Sequence, residues 1–424
     1  CVFVNICDGL DTTAIAYAAP LILKEWNVAP QTFGIVLSAG AAGLTVGAIA
    51  VAPWADRIGR RNIILAGAAI CSVSMLGMAA AQNLGQLLPL RFITGVAVGA
   101  LVPSLSIMVV EFSNERRGNF FLALVHVGFA IGAIIGAAAG RELADSYGWR
   151  GIFVVGGVLT SIATIFCFIW LPESVHFLVT RQPKNALERV NAQLAKFKEP
   201  LLERLPEKPV KQRKSLGDAM AILGPVFLRA TLLLWLAAFC RYFVSFFLTS
   251  WKPQVLVLAG FTAKDAIAVG MLTSAAAAVG VLCGGQLSDF LLRKTGSANI
   301  GRKAPICIGM LMASTIMFAQ FVPLGEANNN VVIAIMCFAF FGQGICNLGW
   351  TVISDVAPKA LLGASGGVFN FVTNLAGIGT PIAIGYILQA TGSYSAALYL
   401  VGAMPLVAFL LYVFALGDIK RLEG

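Results

Sequence analysis

Charge is what this sequence of 424 residues has least of. Asp, Glu, Lys and Arg together make up 12% of it, against roughly a quarter in an ordinary soluble domain, while 58% is hydrophobic. So few charges cannot clothe a water-facing surface of this size, and so apolar a chain does not stay unfolded. Histidine is nearly absent: His126 and His176 are the two. No CxxC or HExxH spacing occurs, so neither a zinc centre nor a metallohydrolase finds its ligands here. All nine cysteines fall in or beside apolar runs and none in a candidate outer loop, so no disulfide is expected. These absences speak against an enzyme built on a nucleophile or metal cluster and require no cofactor. With a mean hydropathy of +0.84, the solvent for most of the chain is lipid.

What is present is apolar length. A helix needs about 20 mostly apolar residues to cross the hydrocarbon core. Twelve stretches qualify: 1–23, 32–54, 62–82, 85–110, 119–140, 151–171, 225–251, 266–288, 304–323, 331–353, 366–389 and 396–416. Asp8 and Asp11 interrupt the opening run and no small-residue cleavage site follows, so it reads as a first span and not as a signal peptide. The one long polar segment, 173–224, is broken by Pro183, Pro200, Pro206 and Pro209, and only Ala186–Phe197 within it has helical spacing. The expected organisation is therefore a six-helix bundle over 1–172, a cytoplasmic linker over 173–224 and a second six-helix bundle over 225–424.

The net charge of +10 would point to nucleic acid in a soluble protein, but here it is topological. With the N-terminus inside, 22 of the 30 Lys and Arg fall in inner segments, five in outer ones (Lys24, Arg141, Arg150, Lys252, Lys264) and three within spans (Arg91, Arg229, Arg241). The positive-inside rule then places both termini in the cytoplasm. No nucleic-acid partner is expected, only the bilayer. The 44 glycines suit closely packed membrane helices, above all the Gly128, Gly132, Gly136, Gly140 stripe of the fifth span.

An ionisable side chain inside a span costs about 2.5–3.5 kcal/mol on insertion scales, so each is a functional candidate. Asp8 and Asp11 lie three residues apart, on one helix face, and resist joint ionisation; such a pair suits a proton carrier. Structural pairing of one aspartate with Arg91 is the plain alternative. Arg91 opens an Arg91, Gly95, Gly99 run in the fourth span, and its planar fork suits a carboxylate, from Asp11 or from a substrate. Glu111 closes that span and is a further proton-coupling candidate. Arg241 lies mid-span with no acid of spans 7–12 at its depth, which points to an anionic ligand; an aspartate facing it across the halves is the plain alternative. Polar residues at helical spacing, Gln343, Asn347 and Trp350 in the tenth span and Asn370 and Asn374 in the eleventh, are candidate substrate contacts or interhelical glue. His126 in the fifth span is a candidate cavity residue, of a type able to titrate near neutrality, with a helix–helix contact as the plain alternative.

The two halves echo each other in their loops. After the second span stands Ala52-Pro-Trp-Ala-Asp56-Arg57-Ile-Gly59-Arg60-Arg61, and after the eighth Gly285-Gln-Leu-Ser-Asp289, with Arg293 and Gly301-Arg302-Lys303 beyond. These resemble the G-x-x-x-D-R-x-G-R-R signature of the major facilitator superfamily, with Ala52 in place of the first glycine. The resemblance implies twelve transmembrane helices in two pseudo-symmetric bundles, with Asp56, Arg57, Arg60, Arg61, Asp289 and Arg293 forming a cytoplasmic gate. Asp8-Gly9-Leu10-Asp11-Thr12, Arg91-Phe92 with Gly95, Pro103 and Glu111, Leu171-Pro172-Glu173-Ser174, and Phe247-Leu248-Thr249-Ser250-Trp251 with Pro253 resemble the aromatic acid:proton symporters. Carried over at those positions, Asp8, Asp11, Arg91 and Glu111 are the transport-critical charges. From about residue 280 the likeness shifts. Leu291 to Lys294, Gly349-Trp350, Ser354-Asp355, Pro358-Lys359 and Gly366 to Asn370 resemble the anion:cation symporters of the galactonate and glucarate type, which implicates Trp350 and Asn370. Val98 stands where that family has a glutamate.

The function expected is proton-coupled import of an organic carboxylate across the inner membrane by a monomer, driven by the proton gradient, with an aromatic acid ahead of a sugar acid. A proton-driven exporter is the rival; Arg241 opposes a cationic cargo, and Ala133 stands where antiporters place proline after the glycine. A channel has no use for paired gate loops.

Overall fold

The computed structural model describes residues 1–113, 118–143, 146–197, 200–206, 228–323, 328–346, 352 and 362–415, and the described residues are helical throughout, without strands. The first half holds α1 (Val2–Glu25), α2 (Pro30–Val46), α3 (Arg60–Ala79), α4 (Leu84–Glu111), α5 (Gly118–Leu143) and α6 (Arg150–Trp170). Two short helices follow, α7 (Val175–Arg181) and α8 (Ala186–Phe197). The second half holds α9 (Leu228–Ser250), α10 (Lys252–Leu258), α11 (Ala263–Thr295), α12 (Ala298–Ser314), α13 (Asn329–Ile345), α14 (Leu362–Thr391) and α15 (Tyr394–Leu410). Ten described helices are long and apolar enough to cross a membrane; α5, with 26 residues, and the shorter α13 stand in the fifth and tenth places. Exposed side chains such as Val73, Phe168, Leu282 and Phe414 give the flanks an apolar skin suited to lipid.

Sequence explains where helices stop. Pro53 lacks the N–H that would continue α2, and the helix loosens into a π turn at Gly47–Val51 and a 3-10 turn at Ala52–Trp54. Gly59 then breaks the chain at φ +102°, where a Cβ would stand 2.3 Å from Glu173 Oε2. Ser174 caps α7, its Oγ accepting from Phe177 N at 3.0 Å. Pro253 restarts the chain as α10 directly after α9. The expected surface helix lies at Ala186–Phe197, whereas α11 runs beyond the expected boundary at 288 to Thr295.

Helices pack through backbone contact. A Cβ on Gly132 of α5 would stand 1.9 Å from the Ile6 carbonyl of α1, and one on Gly95 of α4 would stand 2.2 Å from the Gly40 carbonyl of α2. Only glycine permits such approaches. The halves meet through α2 on α14 and α5 on α11. One face of the bundle carries Arg60, Glu111 and Glu173, here the basic face; the opposite face carries Glu25, Pro30 and Trp149. Towards the opposite face a single apolar core spans both halves, with Ile22, Phe33, Trp149, Trp251, Ile267 and Ile384 among its members. Towards the basic face each half keeps a core of its own, around Ile64 and Leu105 in one and Met310 and Tyr412 in the other. The halves are therefore packed shut at the opposite face.

Candidate functional site

The deepest ion pair joins α1 to α4. Asp11 is 4% exposed and Arg91 6%. Arg91 Nη1 donates to both carboxylate oxygens and to the main-chain carbonyl of Asp11, each at 3.2 Å, and Nη2 donates to the Thr12 carbonyl at 3.3 Å. Gly40 on α2 makes room for the guanidinium: a Cβ there would stand 3.1 Å from Nε. Arg91 Nε has no hydrogen-bond partner among the described residues. Taking the carboxylate away from an arginine held in this way would leave a costly uncompensated charge.

Asp8 is differently placed. Among the described residues its carboxylate takes a single long hydrogen bond, from Thr12 Oγ1 at 3.5 Å. It lines a small cavity inside the first half together with Asp11, Cys7, Cys71, Val98 and Thr160. Asp8 and Asp11 therefore share a cavity, but Arg91 holds Asp11. The valine that replaces the expected span-4 glutamate lines the same cavity.

In the second half, Arg241 is 5% exposed, and its guanidinium lies 3.9 Å from the centroid of the Tyr242 ring. Tyr242 meets Phe369 of α14 edge to face, with centroids 6.2 Å apart. The Cys346 sulfur accepts a hydrogen bond from Arg241, and its S–H reaches the carbonyl of Gln343 at 3.3 Å and its Oε1 at 3.6 Å. Arg241 Nη2 is buried with no hydrogen-bond partner among the described residues. The same holds for Asn374 Nδ2 on α14. Gly377, one turn beyond Asn374, packs between Phe246 of α9 and Ala41 of α2, where a Cβ would stand 2.7 and 3.0 Å from them. Asn370 is half-buried, and its carbonyl accepts from Thr373 Oγ1 at 2.8 Å. Asn347 and Trp350 lie outside the described residues, as does the side chain of His126.

Glu111, expected with the proton-coupling aspartates, is placed apart from them in a network on the basic face. Arg60 Nη1 donates to Glu111 Oε2 and to Ser174 Oγ, both at 3.1 Å, and Nη2 reaches Asp56 at 3.4 Å. Ser174 Oγ donates to Glu111 at 2.8 Å, and the His176 amide donates to the same carboxylate. Glu173 accepts from the Arg61 amide at 3.0 Å, while the Arg61 side chain donates to the carbonyls of Leu171 and Phe168. Glu111 is the last residue of α4, where the chain emerges among arginines. Arg57, Asp289 and Arg293 are exposed at this face, and Arg302 donates to Ser288 beside Asp289 at 2.9 Å.

Lys252, counted among outer-loop cations, is instead buried at 4% exposure. Its Nζ donates to Thr273 Oγ1 at 2.9 Å and to the Gly270 carbonyl at 3.3 Å. Its neighbour Pro253 was the visible signal, since it turns the chain inward as α10. Sequence reasoning also passed over Tyr242, which stood beside Arg241 in the same span, and Glu173 with Ser174 as partners of the arginines.

Similarity to known proteins agrees with the geometry. The chain is 31% identical to the probable galactarate/D-glucarate transporter GudP of Escherichia coli (strain K12), over 97% of this chain and 91% of that protein. It is 30% identical to the 4-hydroxybenzoate transporter PcaK of Pseudomonas putida, over 64% of this chain and 61% of that one. Among solved structures, a D-xylose-proton symporter superposes with a TM-score of 0.75 at 14% identity, over 99% of this chain and 98% of that one. The family profile described as Major Facilitator Superfamily matches residues 1–381. With its lipid-facing helices, two packed halves and arginine-clamped loop, the chain belongs to the major facilitator superfamily and is a multi-pass membrane transporter, not an enzyme.

Proposed function

We propose that the chain imports an organic carboxylate together with protons, and that the carboxylate is an aromatic acid of the benzoate or hydroxybenzoate class. The observation that carries this reading is Arg241: a buried cation whose Nη2 has no hydrogen-bond partner among the described residues, lying over Tyr242, whose ring meets Phe369. A guanidinium offers two parallel donors to a carboxylate, and the Tyr242 ring beside it, backed by Phe369, suits a flat apolar body. Asp11 and Asp8 supply the proton site in the other half. Binding of proton and anion neutralises both halves at once, which lets them rock about the midplane. The loop charges place the basic face in the cytoplasm. Removing Lys252 from the outer count leaves four cations outside against 22 inside and strengthens that orientation. The packed opposite face is then external, in a chain of the inner membrane acting as a monomer.

A sugar acid is the second reading. It is favoured by the galactarate/D-glucarate relatives, which match 97% of this chain, and by the amides of Asn370 and Asn374. Proteoliposomes with an inward proton gradient decide between the two. Labelled benzoate or protocatechuate is expected to accumulate, and galactonate or glucarate is not; the reverse result assigns the sugar acid. Failure of all four removes the organic-acid reading.

Glu111 is proposed as a gate residue and not as a proton carrier. Glu111→Gln is expected to slow net uptake while leaving the final accumulation ratio unchanged, as measured from full time courses. A lowered plateau would return Glu111 to the proton path.

A further inference from the structure

Two adjacent residues at the turn from α9 to α10 tie the second half together where the first half rests on it. Trp251 is 0% exposed and Lys252 4%. Trp251 Nε1 donates to the Pro381 carbonyl of α14 at 3.1 Å. Lys252 Nζ donates to Gly270 and Thr273 of α11 and lies 4.6 Å from the centroid of the Phe340 ring of α13.

Both destinations are contact points between the halves. The Pro381 carbonyl faces Gly34 of α2 so closely that a Cβ there would stand 2.5 Å from it. Nearby, Ser38 Oγ donates to the Ile378 carbonyl at 2.6 Å. Gly270 seats Tyr17 of α1: a Cβ would stand 2.9 Å from Tyr17 Cε1. The Tyr17 hydroxyl is hydrogen-bonded with Ser274, whose Oγ also donates to the Gly270 carbonyl at 2.8 Å. Helix α14 meets the first half over the Pro381 carbonyl, which also takes the Trp251 donor, and α11 meets it at Gly270, whose carbonyl takes the Lys252 donor.

The chemistry of the two side chains suits placement more than packing. A buried lysine held, among the described residues, by a hydroxyl, a carbonyl and a ring costs more than an apolar side chain of equal length, so its donors are what it contributes. Pro381 leaves the Gly377 carbonyl without its helical donor, so α14 is less stiff at this level and more easily set by an outside bond. Trp251 and Lys252 also follow Arg241 by ten and eleven residues, just past the end of α9 and roughly 15 Å along its axis. Any tilt of α9 on anion binding moves both contacts together.

We propose that Trp251 and Lys252 act as a clamp: positioning residues that hold α14 and α11 where Gly34 and Tyr17 can seat, and that couple the Arg241 helix to closure of the opposite face. This rests on the transporter working by alternating access. It is tested by hydrogen–deuterium exchange on the full chain in nanodiscs without substrate, comparing wild type with Trp251→Phe and Lys252→Met. Loss of one net hydrogen bond predicts a roughly three- to tenfold rise in exchange confined to the contacts it sets. For Trp251→Phe these are residues 30–38 and 378–388; for Lys252→Met, residues 13–22 and 263–274. Maximal transport rate is expected to fall by a similar factor, with the half-saturating substrate concentration unchanged. Unchanged exchange at those segments, or a uniform rise over every helix, overturns the clamp. The exchange readout needs no substrate, so a wild type that moves none of the four acids breaks the transport reading separately.

Discussion

Asp11→Asn is expected to abolish uphill accumulation while substrate exchange across the membrane continues. One unit of pH difference supplies about 1.4 kcal/mol per proton, enough for a roughly tenfold accumulation ratio in an electroneutral one-proton cycle. With asparagine at 11, that ratio falls to one. The geometry separates this effect from misfolding. The main-chain carbonyls of Asp11 and Thr12 still accept from Arg91, and the asparagine carbonyl replaces one carboxylate oxygen. Some stability is lost, because removing one member of a buried pair typically costs about 3–5 kcal/mol. Counterflow of labelled against unlabelled acid, with no pH gradient, reports whether the cavity is intact. Asp11→Glu keeps the charge and is expected to recover part of the uphill uptake. If Asp11→Asn accumulates substrate like wild type, Asp11 does not carry the proton, and Asp8, whose hydrogen bond from Thr12 is long, becomes the candidate.

Arg241→Met is expected to weaken carboxylate binding by roughly ten- to a hundredfold, the value of a hydrogen bond to a charged group in a buried site. Methionine keeps much of the apolar stem, so Tyr242 and Phe369 retain their packing. The deletion removes a buried charge that has neither a carboxylate partner nor a complete set of hydrogen bonds among the described residues, so thermal stability is expected to hold or rise. Binding is read by tryptophan fluorescence or calorimetry and stability by thermal melting. The combination of weaker binding and undiminished stability is the signature of a ligand-directed arginine. Equal affinity would remove Arg241 from the site, and a large loss of stability would make it structural.

The parts of this site differ in how plainly the sequence displays them. Asp8, Asp11, Arg91 and Arg241 are legible because lipid penalises each of them, so their presence demands a reason whatever they touch. The gate loops are legible because Asp56, Gly59, Arg60 and Arg61 sit at a helix break with a fixed spacing. Glu111 is legible as a charge at the inner end of its span, but its partners Arg60, Ser174 and His176 are not, because they come from segments distant in the chain. Lys252 was misread because a cation after the last apolar residue of a span ordinarily snorkels to water; only the turn enforced by Pro253 carries it inward. Tyr242 escaped notice because an aromatic residue in an apolar run has no contrast with its surroundings.

The sequence by itself determined the solvent, the helical class, the division into apolar spans around a basic linker and the small set of charges that lipid would exclude. These follow from transfer free energies and helix length, which act on each segment alone. Only the tertiary structure decided which aspartate Arg91 holds, that Arg241 lies over an aromatic ring in its own half, and that Trp251 and Lys252 meet the helices on which the first half closes. Those choices depend on how glycine-lined helices come within backbone contact, a property of pairs of segments distant in the chain.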